Sequence, residues 1–473
     1  MLTFTDVFEA LTGARVAGAS LIISEASIDS RQAIPASLFF ALPGERVDGH
    51  AFIEDAFKQG AQAAVIQQDV DLPYPVIDLR SGQLPLDTSL PEIPFLLRVK
   101  DSLKALQTIA GFWRKKLNVR VVGITGSVGK STTKELVAEV LGQRYHTLKN
   151  QGNLNNEIGL PLTLLRLGPG HQRAVLEMGF YMAGEISFLC DLAQPSVGVV
   201  TNIGTVHAER AGTQEAIANG KAELVQALPP APDGIAVLNF DDPWVRKMAD
   251  KTRAQVFYYG LDPVADLWAD EIESLGLEGI RCRLHYGAET ITLRVPLIGQ
   301  HSVHTVLRAA AVGLVEGLTW GEIAEGLQYG HTQLRLVAVH TQNGALLLDD
   351  TYNASPESTL AALNLLAELD GRRVGVLGDM LELGQYEQSG HEMVGARAAE
   401  VCAELLAIGE LGKIIASSAL AAGMHPRAIH WVATVPEAID YLRLHLKEGD
   451  VALVKGSHGL QMERIISALE EIH

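Results

Sequence analysis

The stretch Thr125-Gly126-Ser127-Val128-Gly129-Lys130-Ser131-Thr132 constrains this chain more than any other. A β-branched run, Val119 to Ile124, leads into it. A helical pattern, Lys134-Glu135-Leu136-Val137-Ala138-Glu139-Val140-Leu141, leads out. A strand must therefore pass to a helix through a turn that carries two glycines, a lysine and hydroxyls. Glycines let backbone N–H groups close on an anion, and the helix N-terminus adds partial positive charge. Lys130 brings a formal charge to the terminal phosphates, and a neighbouring hydroxyl reaches Mg²⁺. The loop is a short G-x-x-G-K-S-T form. Ile124 stands where the longer G-x-x-x-x-G-K-[ST] pattern has its first glycine. The pattern predicts a site for a nucleoside triphosphate.

At about 100–200 residues per domain, 473 residues predict about three domains. A net charge of −18, with Arg114-Lys115-Lys116 the one notable basic cluster, argues against nucleic acid as a partner. Any cationic groups that hold an anion must then be local to the site. Cys190, Cys282 and Cys402 fit no zinc spacing and no disulfide framework. They read as small buried hydrophobes in a reducing compartment. No basic segment followed by a long apolar core opens the chain, and no apolar run approaches about 20 residues. No membrane insertion is expected, and the expected location is cytoplasmic.

Three regions follow from the pattern: residues 1–97, 98–330 and 331–473. The first opens with short strand-like pieces at Ser20 to Ile23, Leu38 to Leu42 and Ala63 to Ile66, with a helical stretch at His50 to Gln59. Asp71 to Pro94 holds five prolines and reads as a loop or linker. In the second region, strand-like runs at Val119 to Thr125, Ala174 to Met178, Val197 to Ile203 and Ile235 to Asn239 alternate with helical patterns. These helical patterns include Lys130 to Gly142, Thr213 to Ala227 and His301 to Glu316. Alternation of this kind predicts βα units and a mainly parallel sheet, with a β-rich insert between Gln255 and Pro296. The third region repeats the pattern, with strand-like runs at Leu346 to Asp349, Arg373 to Leu377, Leu405 to Ile408, Ile429 to Val432 and Val451 to Val454. It carries no G-x-G-x-x-G, so a dinucleotide site is not supported.

A nucleotide site alone leaves the reaction open. Glu177 ends one strand-like run and His207 follows another, and open parallel sheets bind ligands at the carboxyl ends of their strands. Both could serve Mg²⁺, which prefers oxygen ligands. Taken singly, Glu177 reads equally well as a solvated acid, and His207 reads better as a loop histidine with a local hydrogen bond. Lys221 reads as a helix lysine facing water.

Four motifs together change that reading: Gly126 to Thr132, Gly152-Asn153-Leu154-Asn155-Asn156-Glu157-Ile158-Gly159-Leu160-Pro161, Glu177-Met178-Gly179, and Asp349-Asp350-Thr351-Tyr352-Asn353-Ala354-Ser355-Pro356. In this combination the chain resembles the Mur ligases, ATP-dependent amide-forming enzymes of peptidoglycan precursor synthesis. Val376 to Gly384 and Val454 to Ser457 extend the resemblance over nearly the whole chain, and within the family they favour the dipeptide-adding branch. The resemblance implies a three-domain α/β architecture: a small N-terminal α/β domain for the UDP end of the substrate, a central P-loop ATPase with a mainly parallel sheet, and a C-terminal Rossmann-like α/β domain. It implies ATP and Mg²⁺ as cofactors, and UDP-MurNAc-tripeptide and D-Ala-D-Ala as substrates. A monomer is expected.

The resemblance also implies roles. Gly126, Ser127, Val128, Gly129, Lys130, Ser131 and Thr132 hold ATP, together with Arg335, Asp350, Tyr352 and Asn353. Ser131, Glu177 and His207 bind Mg²⁺, joined by Lys221 if CO₂ converts its amine into a carbamate. Lys130, His207 and Lys221 are the expected catalytic residues. Ser30, Arg31, Asn153 and Asn156 are expected to bind substrate. The chain departs from the family pattern at Ser302 and Thr305, where relatives commonly carry asparagines near the adenine. Two other readings share these residues: a sibling ligase that adds a single amino acid, and a nucleotide-responsive module without catalysis.

Overall fold

The computed structural model describes the chain except residues 17, 45–46, 86–88, 330–336 and 471–473. Two compact units emerge. One comprises Met1–Gly123, Tyr145–Gly179 and Gly184–Val197; the other comprises Ile124–Arg144, Phe180–Ala183 and Gly198–His473.

The first unit holds a five-stranded parallel sheet in the order Ala26–Ser27, Leu38–Phe40, Ala63–Ile66, Phe95–Arg98, Val76–Asp78. Fully buried Phe39, Ala64, Ile66 and Leu96 supply its core, and the helix Ile53–Lys58 packs Ile53 and Ala56 against it. The expected helix at His50 to Gln59 begins as a 3-10 turn, Gly49–Phe52, because the Asp48 carboxylate accepts from His50 N and tightens the entry. The expected strand at Ser20 to Ile23 is absent; only a single bridge joins Ile22 to Thr3. The proline-rich segment is not loop throughout. Val76–Asp78, free of proline, pairs at the sheet edge, where Pro75 still offers its carbonyl to Leu96 N. The same unit carries Thr147–Lys149 paired in parallel with Arg173–Glu177.

The second unit begins inside the Arg120–Thr125 strand and holds the helix Lys130–Gly142 directly after the glycine loop. Its strands Ile235–Asn239, Gln255–Gly260, Leu267–Ser274, Ile280–Tyr286 and Glu289–Val295 lie side by side, with the last two pairings antiparallel. The β-rich insert predicted from the pattern is this antiparallel extension. A separate six-stranded sheet runs Val337–His340, Leu346–Asp349, Asp450–Lys455, Arg372–Gly378, Glu404–Ile408, Ile429–Val432. It is parallel except for the Val337–His340 edge strand, which the sequence reading missed. Helices cover both faces. Leu363 and Leu366, Val394 and Ala398, and Ile415 and Ala419 pack on one side. Val435, Ala438, Leu442, Ile465, Ile466 and Leu469 pack on the other. Burial on both faces is what a doubly wound sheet requires, and it explains the continuous apolar runs of its strands.

Cys190, Cys282 and Cys402 are free and buried. No helix among the described residues is long and apolar enough to cross a membrane.

Candidate active site

The glycine loop is tied to the segment that follows the Val197–Val200 strand. Ser127 N donates to Asn202 O and Val128 N to Asn202 Oδ1, both at 2.9 Å. Thr201 Oγ1 donates to Val128 O at 2.7 Å, and Ser127 Oγ accepts from Gly204 N at 2.8 Å. Gly126 has φ +147°, and a Cβ there would stand 1.8 Å from Thr201 Oγ1. Gly129 has φ +80° and is the N-cap of Lys130–Gly142, which has no side-chain cap. The N-terminus of that helix carries the partial positive charge of the helix dipole.

This predicts the effect of Gly126→Ala. The methyl group would displace Thr201 from the Val128 carbonyl, which should cost about 1–3 kcal/mol of stability. Nucleotide binding should fall with it. Thermal melting and a nucleotide titration read the two effects; an unchanged melting temperature would show that the loop can yield.

Two lysines converge on one carbonyl. Lys130 Nζ donates to Gly126 O at 2.9 Å and to Ser127 O at 3.2 Å. Lys221 Nζ, on the helix Gln214–Gln226, donates to the same Gly126 O at 3.0 Å. Lys221 is 0% exposed and lies 4.6 Å from the centre of the Phe180 ring. Among the described residues no carboxylate pairs with it. Burial, reinforced by the charge of Lys130, holds its pKa well below the ordinary lysine value. The water-facing helix lysine expected from the bare sequence is thus a buried amine.

His207 sits at φ +70°, and its Nδ1–H donates to Glu382 Oε2 at 2.8 Å. Burial lowers its pKa, Glu382 opposes the shift, and the charges of Lys221 and Lys130 add to it. A neutral imidazole with Nδ1–H directed at a carboxylate leaves Nε2 as an acceptor, the form in which histidine binds a metal. The Glu382 carboxylate is itself held below its usual range, chiefly by this bond. Nearby, Thr205 N and Oγ1 both donate to Glu357 Oε1, at 3.0 and 3.2 Å.

In the C-terminal sheet Asp350 accepts from Lys455 Nζ at 2.7 Å, and the same ammonium donates to Asn353 O at 2.9 Å. The Tyr352 side chain is exposed, and its ring centre lies 6.2 Å from that of His458. Arg335 lies outside the described residues. Ser302 Oγ donates to Ile298 O, while Thr305 Oγ1 accepts from Arg308, so both side chains have partners within the protein.

The remaining predicted residues belong to the first unit. Glu177 is 2% exposed and accepts from Asn155 Nδ2 at 2.9 Å, while Asn150 Oδ1 accepts its backbone N–H. Asn156 Oδ1 accepts from Gly159 N at 2.9 Å at the start of the helix Gly159–Leu165, and Asn153 is exposed. Ser30 is buried, while Arg31 points outward and is gripped by Asp29 through two hydrogen bonds of 2.9 and 2.7 Å.

Lys130, Ser127, Gly126, His207 and Lys221 thus share one neighbourhood. Sequence reasoning missed Thr201, Asn202, Asn150, Asn155, Phe180, Glu357 and Glu382. The first two continue a strand whose carboxyl end was already suspect, so that rule could have found them. Glu382 is 175 residues from His207, and no local pattern reports such a pairing.

Among the described residues no three His, Cys, Asp or Glu side chains gather as a metal cluster. A ligand set built on a serine hydroxyl, an imidazole and a modified lysine would not form such a cluster.

Three domain families match the chain in order: "Mur ligase family, catalytic domain" over residues 22–110, "Mur ligase middle domain" over 124–313, and "Mur ligase, glutamate ligase domain" over 334–458. The chain is 35% identical over 454 residues to the UDP-N-acetylmuramoyl-tripeptide–D-alanyl-D-alanine ligase of Bacillus subtilis, covering 95% of this chain and 94% of that one. It is 34% identical over 477 residues to the ligase of the same name from Escherichia coli, covering 99% and 98%. MurF from Acinetobacter baumannii superposes with a TM-score of 0.81 at 29% identity, covering 98% of this chain and 97% of that one. MurF ligase from Thermotoga maritima, solved in complex with ADP, superposes with a TM-score of 0.77 at 26% identity, covering 95% and 97%. With the loop, the two converging lysines and the doubly wound C-terminal sheet in place, the chain belongs to the Mur ligase family and is of the MurF type.

Proposed function

We propose that this protein is an ATP-dependent ligase that joins the carboxylate of UDP-MurNAc-tripeptide to the amine of D-Ala-D-Ala in peptidoglycan precursor synthesis. The observation that carries this reading is a glycine loop and two lysines on one carbonyl, in a chain collinear with the named ligases over 99% of its length in one comparison.

The residues fit a triphosphate. Gly126 and Gly129 take positive φ, which lets the loop turn sharply against Thr201 and Arg308, and the uncapped N-terminus of Lys130–Gly142 favours negative charge. Bound ATP supplies the phosphoryl group that converts the peptide carboxylate into an acyl phosphate, whose phosphate leaves when the dipeptide amine attacks. Lys130 neutralises phosphate charge and orients it. Such positioning and charge compensation are the main means by which proteins accelerate phosphoryl transfer.

The residues also fit Mg²⁺. Ser131 offers a hydroxyl and His207 an imidazole nitrogen fixed by Glu382. A lysine amine is a poor partner for a hard cation, but a neutral amine adds CO₂, losing a proton, and the carbamate presents two oxygens. The depressed pKa of Lys221 favours that neutral amine. Glu177 is proposed as an oxygen ligand on its own chemistry, a buried carboxylate oriented by Asn155. Asp350, Tyr352 and Asn353 are proposed to face the nucleotide, and Ser30, Arg31, Asn153 and Asn156 the UDP-peptide. The protein is proposed to act as a cytoplasmic monomer.

ADP release measured with UDP-MurNAc-tripeptide, with and without D-Ala-D-Ala, tests the reading. Sustained release should require both substrates. Equal rates with a single amino acid in place of the dipeptide would reassign the chain to a sibling activity, and no substrate-dependent ADP would leave only nucleotide binding.

A further inference from the structure

Arg308 lies in the middle of the helix Val303–Val315, among buried Val306, Leu307, Ala309 and Ala310, and is itself 4% exposed. A guanidinium is expensive to remove from water, so a buried one normally faces a carboxylate. Among the described residues none pairs with Arg308, in a chain of net charge −18. The acids around the neighbouring Tyr259 are already occupied. Asp241 Oδ2 accepts from His304 and from Leu261 N, and Asp242 accepts from Ile203, Trp244 and Val245 N–H groups.

What Arg308 does touch is neutral: the Thr305 hydroxyl and the side chain of Tyr259, with which it also hydrogen-bonds. Nη2 donates to Thr305 Oγ1 at 2.7 Å, and the guanidinium carbon lies 6.0 Å from the centre of the Tyr259 ring. Nε is buried and has no hydrogen-bond partner. An unmade bond of this kind in a native fold calls for an explanation.

Its position supplies one. Nη2 lies 3.2 Å from the point a Cβ on Gly129 would occupy, so the guanidinium rests against the glycine that caps Lys130–Gly142. This is the positive end of a helix, with Lys130 next in sequence. A third source of positive charge there is unfavourable unless an anion joins them. Packing against Thr305 and Tyr259 would need no charge; glutamine or methionine would serve.

We propose that Arg308 is a nucleotide ligand: its guanidinium binds phosphate oxygens of the nucleoside di- or triphosphate held by the Gly126–Thr132 loop. The proposal rests on the nucleotide-binding reading above and adds a contact to it. A forked, permanently charged donor suits phosphate oxygens.

Calorimetric titration of the full-length protein with ADP, ATP and adenosine tests it, using wild type, Arg308→Met, Arg308→Gln and Arg308→Lys. Arg308→Met should weaken ADP and ATP by about 10- to 100-fold and leave adenosine unchanged. Arg308→Lys should fall between that variant and wild type. Arg308→Gln keeps a polar group for Thr305; if the methionine variant does not fold, it should show the same phosphate-selective loss. ADP affinity equal to wild type in a folded neutral variant overturns the proposal. So does an equal loss of ADP and adenosine alongside a lowered melting temperature, which is the signature of packing alone. Wild-type protein that binds no nucleotide would sink the underlying reading as well, whereas wild-type binding with an unaffected neutral variant sinks only this one.

Discussion

Lys130→Ala lowers substrate-dependent ADP formation by at least about a hundred- to a thousandfold while the protein stays folded. The expectation follows from where the ammonium lies. Lys130 Nζ is held by Gly126 O and Ser127 O, carbonyls of the loop it serves, and is half-buried. Its charge is already in place when phosphate arrives, so little reorganisation opposes the reaction. The truncation removes methylenes at a helix start and no core contact, so the melting temperature should move little. Steady-state ADP assays together with circular dichroism decide the matter. Phosphate release at the wild-type rate from a folded Lys130→Ala protein would refute the role given to this side chain.

Lys221 has the second large effect, and its two consequences point in opposite directions. Lys221→Ala should reduce turnover by about a hundredfold, with partial recovery when acetate or another short carboxylate is added. Full activity without such additives would show that no carbamate is needed. Stability should respond otherwise. The folded protein holds this amine well below its ordinary pKa, and the unfolded chain restores it to about 10.4. Between those two values the unfolded state binds one more proton than the folded state, so for the unmodified lysine stability rises with pH through that window. Lys221→Met removes both the slope and the buried amine, and should melt at a higher temperature than wild type at neutral pH. Urea unfolding of both proteins between pH 7 and 10 measures it; parallel curves would mean the amine is relieved in some other way. A residue that weakens the fold and is required for turnover marks a stability–activity trade-off.

The contrast between these two lysines shows what could be read from sequence. Lys130 was legible because its neighbours carry the message: two glycines, two hydroxyls, a strand before and a helix after. Lys221 has Ala218, Ala222 and Leu224 around it and reads as an ordinary helix position. Its burial depends on Phe180 and on Gly126, 95 residues away, contacts that only tertiary packing creates. The parallel strands were legible because burial on both faces writes them as apolar runs. Val337–His340 was not, because an antiparallel edge strand with exposed Val337 and His340 lacks that run. The pairing of Glu382 with His207 lay beyond reach for the same reason as Lys221, and so did the Thr205–Glu357 contact. The family resemblance supplied expected residue roles, while the environment of each side chain came from the fold.

The Gly126 carbonyl, bound by both lysine nitrogens, predicts the kinetic behaviour of the proposed nucleotide site. An incoming triphosphate meets no fully hydrated cation whose water must first be stripped away. It meets one already shed of part of its shell and docked on a neutral oxygen, and the ligand needs only to outcompete that oxygen. Capture becomes an exchange of partners over a few ångströms. When product departs, Lys130 can return to the same perch, so the loop is reset for the next turnover without rebuilding its charge.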